Sequence, residues 1–195
     1  MDKLSVRNRL AIGLATSALL MAAAVGPTLA VDTVTQTITG SGLTASVADL
    51  GLTAVPYQNA ARAVTGTMVL TAADNTGAAS PAGWNVTIQS SAFVWSSQIL
   101  GGTDIPASAF ALTSADAPVA GLDSQAVSVA AATGPQVPAA TPFGTLDTAR
   151  KVLHATAGYG AGTYTQNLGV TLTIPALSRV GTYTGTLTTT ITSAP

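Results

Sequence analysis

The 195-residue sequence carries 8% charged residues and no cysteine, with a formal net charge of −1. Without cysteine, the chain forms no disulfide, no thiolate metal site and no lipid-bearing cysteine. Beyond residue 30, four basic residues stand against seven aspartates, a formal charge of −3 that excludes nucleic acid as a partner. Glutamate is absent and β-branched residues are abundant, which favours strands over helices.

The first thirty residues have the pattern of an export signal. Three basic residues precede an uncharged apolar run at residues 10–25, and small residues follow at Thr28 and Ala30. We expect cleavage after Ala30, which leaves a secreted single domain at residues 31–195 with no membrane segment after cleavage.

The first clear strand covers residues 63–73, where apolar and small side chains share one parity and threonines share the other. A polar turn follows at residues 74–77. A calcium loop is the alternative interpretation, but the spaced acidic ligands of such a loop are missing, so the pattern favours an ordinary turn and no metal site.

A second strand begins at Trp84, where apolar side chains alternate with Asn85, Thr87 and Gln89. This alternation predicts Trp84 as a core anchor. Phe93 and Trp95 have the opposite parity, so either they lie on the other face or Ser90 and Ser91 interrupt the strand with a bulge.

The rest of the chain alternates short strands with Gly- and Pro-rich connections. Short strands are predicted at residues 105–112, 126–131 and 150–155, with an exposed loop at residues 134–144 and a glycine-rich break at residues 158–162. The clearest pair closes the sequence, at residues 168–174 and 183–191. Many short strands predict an all-β protein, either a sandwich or a barrel.

Two segments of this sequence resemble the motifs of WxL domains. The first is Trp84-Asn85-Val86 after a polar turn, and the second is the ending at residues 181–195, where Tyr183, Leu187 and Ile191 match and Thr189 stands in place of a tryptophan. The resemblance spans about residues 35–195. It implies an exported β-sandwich, Ig-like or jelly-roll-like, that binds bacterial cell-wall peptidoglycan noncovalently.

Catalytic chemistry is not supported by the sequence. The lone histidine, His154, lies in a predicted strand without a nucleophile elbow, and the aspartates fall mostly at turns rather than as a convergent pair. No lysine followed by Ser or Thr comes after the glycines of residues 158–162, which argues against a phosphate loop. We expect no enzyme and no cofactor.

Aromatic side chains are the candidates for stacking on sugar rings. The four that could contact a wall glycan are Tyr57, Trp95, Tyr159 and Tyr164. Ordinary packing is the alternative role for each of them.

The sequence therefore predicts a secreted cell-surface structural or adhesion protein, whose partners are peptidoglycan or other surface proteins. The alternative is a self-assembling extracellular filament or matrix subunit, in which the Thr-rich segment at residues 32–39 adds as a strand to the next subunit's sheet.

Overall fold

The computed structural model describes residues 36–78, 81–96, 103–127, 134–139 and 143–193, and residues 38–195 cluster as one compact unit. The predicted export signal lies outside the described residues, so the division at Ala30 stays a prediction. No helix among the described residues is long and apolar enough to cross a membrane.

The described residues form strands that pair only in the antiparallel sense. The strands are β1 (Gly42–Val47), β2 (Arg62–Asn75), β3 (Trp84–Ser90), β4 (Val94–Trp95), β5 (Phe110–Ala115), β6 (Val119–Ala120), β7 (Gly144–Thr145), β8 (Arg150–Ala155), β9 (Gly162–Ile174), β10 (Tyr183–Thr184) and β11 (Leu187–Ser193). A 3-10 turn, Ala107–Ala109, precedes β5. The predicted all-β class is confirmed.

Two sheets enclose the core of the sandwich. One has the strand order β1-β2-β9-β5-β7, with β6 also on β9, and the other has the order β11-β3-β8. The core joins Met68, Leu70 and Leu168 of the first sheet to Trp84 and Leu153 of the second. The two-residue repeat of β2 explains this packing, because it directs one set of side chains to the core and the threonines outward.

The strand that begins at Trp84 is interrupted before Trp95. β3 ends at Ser90 and β4 restarts at Val94, while Phe93 forms an isolated bridge with Ile105. Trp84 and Trp95 are both buried although their sequence parity differs. The interruption is therefore present, and it shifts the alternation by one residue, so that Phe93 packs against the core that also holds Trp84.

Three predicted segments differ from the structure. The strand predicted at residues 183–191 is divided into β10 and β11, because the break lies opposite the interruption between β3 and β4, where the Ser91 N–H donates to the Thr186 carbonyl oxygen. The strand predicted at residues 105–112 begins only at Phe110, since Pro106 has no backbone N–H for a ladder and a 3-10 turn follows it. The predicted exposed loop at residues 134–144 is partly buried, because Gly134 and Pro135 are covered and Gln136 forms a bridge with His154. The strand predicted at residues 126–131 lies mostly outside the described residues.

Candidate functional site

Trp84 holds one end of the sandwich together. Its side chain is 0% exposed, and its indole Nε1 donates a hydrogen bond of 3.0 Å to the carbonyl oxygen of Gly160. The Tyr164 ring packs on it with a centroid distance of 6.0 Å. Gly160 has a φ of +89°, and a Cβ there would lie 2.6 Å from the Trp84 Nε1, so only glycine allows this approach.

The two sequence motifs meet on neighbouring strands. β3 pairs with β11 in a register that places Val86 opposite Ile191 and Ile88 opposite Thr189. Beyond the interruption, Tyr183 pairs with Trp95. The motif residues therefore lie on two consecutive strand pairs, β3 with β11 and β4 with β10, with Trp84 at one end and Trp95 at the other.

Thr189, which stands in place of the motif's second tryptophan, lies on the inner face of β11. It is half-buried opposite the fully buried Ile88, whereas its neighbours Thr188 and Thr190 are exposed. A larger side chain at this position would add to the edge of the core. The replacement of the motif's tryptophan by Thr189 therefore affects packing at the edge of the core more directly than it affects an exposed binding surface.

A groove of about 490 Å³ opens at the Trp95 end of the molecule. Its walls are the loop between β1 and β2 and the loop between β9 and β10. The two loops are connected by the backbone N–H of Leu177, which lies 3.4 Å from the carbonyl oxygen of Gln58. Arg62 pairs with Ile174, so the end of the first loop lies beside the start of the second. The groove is lined by Thr53, Ala54, Val55, Pro56, Tyr57, Gln58, Ala60, Arg62, Ile174, Pro175, Ser178, Arg179, Val180, Gly181 and Tyr183.

Trp95 supports this groove from the side of the β9–β10 loop. The ring is 4% exposed, its Nε1 donates to the carbonyl oxygen of Val180 at 3.3 Å, and the Arg179 guanidinium carbon lies 5.9 Å from the ring centroid. Gly181 has a φ of +149°, and a Cβ there would lie 2.4 Å from the Trp95 Nε1. The Tyr183 hydroxyl donates to the carbonyl oxygen of Arg179 at 3.0 Å, which holds the loop from its other side.

The comparison with protein families agrees with this arrangement of motifs. A family model described as a WxL domain, surface cell wall-binding, matches residues 44–195. The chain belongs to the WxL domain family. Searches of curated proteins and of solved structures gave no match. The predicted family resemblance is confirmed, and WxL domains are a cell wall-binding surface family rather than an enzyme family.

The structure separates the four aromatic residues that were predicted to contact glycan. Tyr57 is 56% exposed in the groove of the WxL domain, and Tyr159 is 37% exposed near Gly160 at the opposite end. Trp95 lies under the groove with little exposed surface. The four residues therefore do not form one site.

Tyr164 is inconsistent with the predicted role as a glycan contact. Its side chain is 0% exposed, and its hydroxyl lies 2.7 Å and 2.8 Å from the carbonyl oxygens of Gln125 and Ala161. Burial, with a smaller contribution from the Asp74 carboxylate, raises the pKa of Tyr164 to about 12. This tyrosine is a structural part of the core of the WxL domain.

Sequence reasoning missed Arg62, Arg179 and Tyr183 as groove residues. Arg62 and Arg179 are separated by most of the domain in sequence, and only the β2–β9 pairing brings them to one end. No sequence signal distinguished them, because Arg150 also lies where a predicted strand begins and Arg179 lies in a connection between two predicted strands.

The polar turn at Asp74 is an ordinary turn in this WxL domain. The Asp74 carboxylate accepts hydrogen bonds from the Thr76 backbone N–H at 3.1 Å and from its hydroxyl at 2.7 Å. No group of three or more potential metal-ligating His, Cys, Asp or Glu side chains occurs among the described residues.

His154 lies on β8 opposite Asn85, and no hydrogen-bond partner reaches its Nδ1 within the described part of the chain. Burial, followed by the nearby Lys151 charge, lowers the pKa of His154 below 6.5, with the backbone of Gln136 acting in the opposite direction. Among the described residues no acid–base partner orients this imidazole.

We expect the WxL domain to lose stability as the pH falls below about 6.5, where the unfolded imidazole takes up a proton and the folded one still resists it. The unfolded state then binds more protons, so the free energy of unfolding decreases on acidification. Urea unfolding of the wild type and of His154→Gln at about pH 7.5 and about pH 5.5 measures this. An equal pH dependence in both proteins would contradict the expectation, since the aspartates are common to both.

Proposed function

We propose that this WxL domain is a secreted structural or adhesion module that binds the cell wall noncovalently, with peptidoglycan as its partner. Its membership of a cell wall-binding surface family supports a location on the cell surface. The observation that carries the assignment of a site is the groove, because it combines an open volume of about 490 Å³ with an exposed aromatic ring at Tyr57. Export with cleavage after Ala30 is part of the proposal.

The chemistry of the groove suits a sugar chain. The face of an aromatic ring packs on the apolar face of a pyranose, and Tyr57 supplies such a ring with 56% of its surface exposed. Polar side chains for sugar hydroxyls are present at Thr53, Gln58 and Ser178. The Trp84 end offers only Tyr159 beside a buried, hydrogen-bonded anchor, which makes it the weaker candidate.

Replacing Tyr57 with serine tests this site. We expect about two- to tenfold weaker retention on isolated cell walls, which corresponds to the roughly 0.5–1.5 kcal/mol typical of aromatic stacking. Tyr159→Ser is the matched control, since it removes the same side chain at the other end of the domain. Equal retention of both variants and the wild type would remove the groove from the proposal, and absence of wall binding by the wild type would overturn the proposal itself.

Filament formation by strand donation is the second candidate, and one feature favours it. Among the described residues β1 and β11 each pair with a single strand, and residues 36–41 next to β1 are exposed, with Ile38 88% exposed. Electron microscopy of the purified protein, alongside the wall-binding assay, separates the two. Filaments without wall binding would favour assembly over wall attachment.

A further inference from the structure

We propose that the groove recognises an acidic wall polymer, and that Arg62 and Arg179 bind its phosphate or carboxylate groups. This inference rests on the proposed attachment to the cell wall, and it names an acidic polymer of the wall, beside peptidoglycan, as the ligand of the same groove. The ligand class is a polysaccharide or polyol chain that carries phosphate or carboxylate groups.

The distribution of charge is the first argument. Beyond residue 30 the chain has four basic residues and a formal charge of −3, yet two of the four line this groove and none of its lining residues is acidic. A net negative domain is repelled by an acidic polymer at long range. Binding of such a polymer therefore needs a local concentration of positive charge, and the groove supplies one.

The state of the two guanidinium groups is the second argument. Neither Arg62 nor Arg179 has a carboxylate partner or a side-chain hydrogen bond among the residues that the structure describes. By contrast, the Nε of Arg150 donates a hydrogen bond of 3.0 Å to the carbonyl oxygen of Thr145. The donors of the groove arginines are free for a ligand.

The positions of these arginines are determined by the fold. Arg62 is half-buried at the first position of β2, and its backbone is paired opposite Ile174 in the sheet. Arg179 lies over the Trp95 ring, which restricts the guanidinium by a cation–π contact. An anion bound to either arginine forms charge-assisted hydrogen bonds, and the planar guanidinium matches both phosphate and carboxylate oxygens.

The size of the groove distinguishes a polymer unit from a free ion. About 490 Å³ exceeds the volume of a single phosphate and lies within the range of sites for drug-sized molecules. Tyr57 and Tyr183 line the same groove and provide apolar surface for a ring or a carbon backbone. An acidic unit of a chain uses both the charges and the rings, whereas inorganic phosphate would use the charges alone.

Soluble oligomers test the proposal on the wild-type domain. An oligo(glycerol phosphate) carries phosphodiesters, an oligogalacturonate carries carboxylates, and a neutral chitooligosaccharide serves as the control. Tryptophan fluorescence reports binding because Trp95 lies beneath the groove, and calorimetry checks it independently. We expect at least one acidic oligomer to bind about tenfold more tightly than the neutral one, with an affinity that falls as salt is added.

Single substitutions that each remove one positive charge show which residues bind the acidic oligomer. We expect Arg62→Gln and Arg179→Gln each to weaken binding of the acidic oligomer by about tenfold. The matched control is Lys151→Gln, which removes one positive charge from an exposed position on β8, and we expect a change of less than about twofold. Preference of the phosphodiester or of the carboxylate oligomer then identifies the source of the anion.

The outcomes separate this inference from the proposed function. Equal binding of acidic and neutral oligomers, or equal effects of the arginine and lysine substitutions, would overturn the inference even if the domain remains bound to walls. Acidic oligomers that bind through the arginines, together with no retention on walls, would retain the inference and overturn wall attachment. Retention of the domain can also be compared between intact cell walls and walls from which acid has removed the phosphodiester polymers.

Discussion

Trp84→Ala is expected to lower the free energy of unfolding by roughly 3–5 kcal/mol, the range for truncating a large buried aromatic side chain. The side chain is fully buried in the core, packs on Tyr164 and donates a hydrogen bond to the Gly160 carbonyl oxygen. Its loss creates a cavity and leaves that carbonyl without its partner. Urea unfolding followed by circular dichroism measures the change.

Trp95→Ala is the comparison for this prediction, and we expect a clearly smaller loss. Trp95 is also buried, but it lies outside the main core cluster, beneath a loop where Val180 is 79% exposed. That loop can move inward to fill part of the space. Trp84→Phe separates the ring from its hydrogen bond and should fall between the wild type and Trp84→Ala. Small and equal losses for both alanine variants would show that Trp84 is not the anchor of the core.

Deletion of residues 181–195 is expected to abolish cooperative folding. The deletion removes β10 and β11 and leaves β3, with the buried Val86 and Ile88, as an unpaired edge of a two-stranded sheet. It also removes the half-buried Leu187 and Ile191, where full burial of such side chains contributes roughly 1.5–3 kcal/mol each. The combined loss is comparable with the total stability of a typical domain, about 5–15 kcal/mol.

Point substitutions on the two faces of β11 provide the control for this deletion. Leu187→Ala and Ile191→Ala remove inner side chains and should each destabilise measurably, whereas Thr188→Ala and Thr190→Ala on the outer face should change stability by about 0.5 kcal/mol or less. Circular dichroism during thermal unfolding measures all of them. A truncated protein that unfolds like the wild type would show that the terminal strand is detachable, which favours strand exchange between subunits.

Sequence by itself determined which side chains of the long strands face the core. Along β2 and β9 the alternation predicts the buried Met68, Leu70, Leu168 and Val170, because the two-residue repeat of a strand is a local property of its backbone. The burial of Trp84 and the polar turn after Asp74 follow from equally short patterns. The two family motifs were also recognisable in the sequence, although nothing in them showed that their strands pair with each other.

Only the tertiary structure decided which distant residues share a site. Tyr57 and Tyr164 both follow turn-rich segments, yet one is 56% exposed in the groove and the other is 0% exposed in the core. Arg62 and Arg179 line the same groove because the register of β2 on β9 places Arg62 opposite Ile174, where the loop between β9 and β10 begins. Register and loop contact arise from packing between residues far apart in sequence, so no local pattern of side chains specifies them.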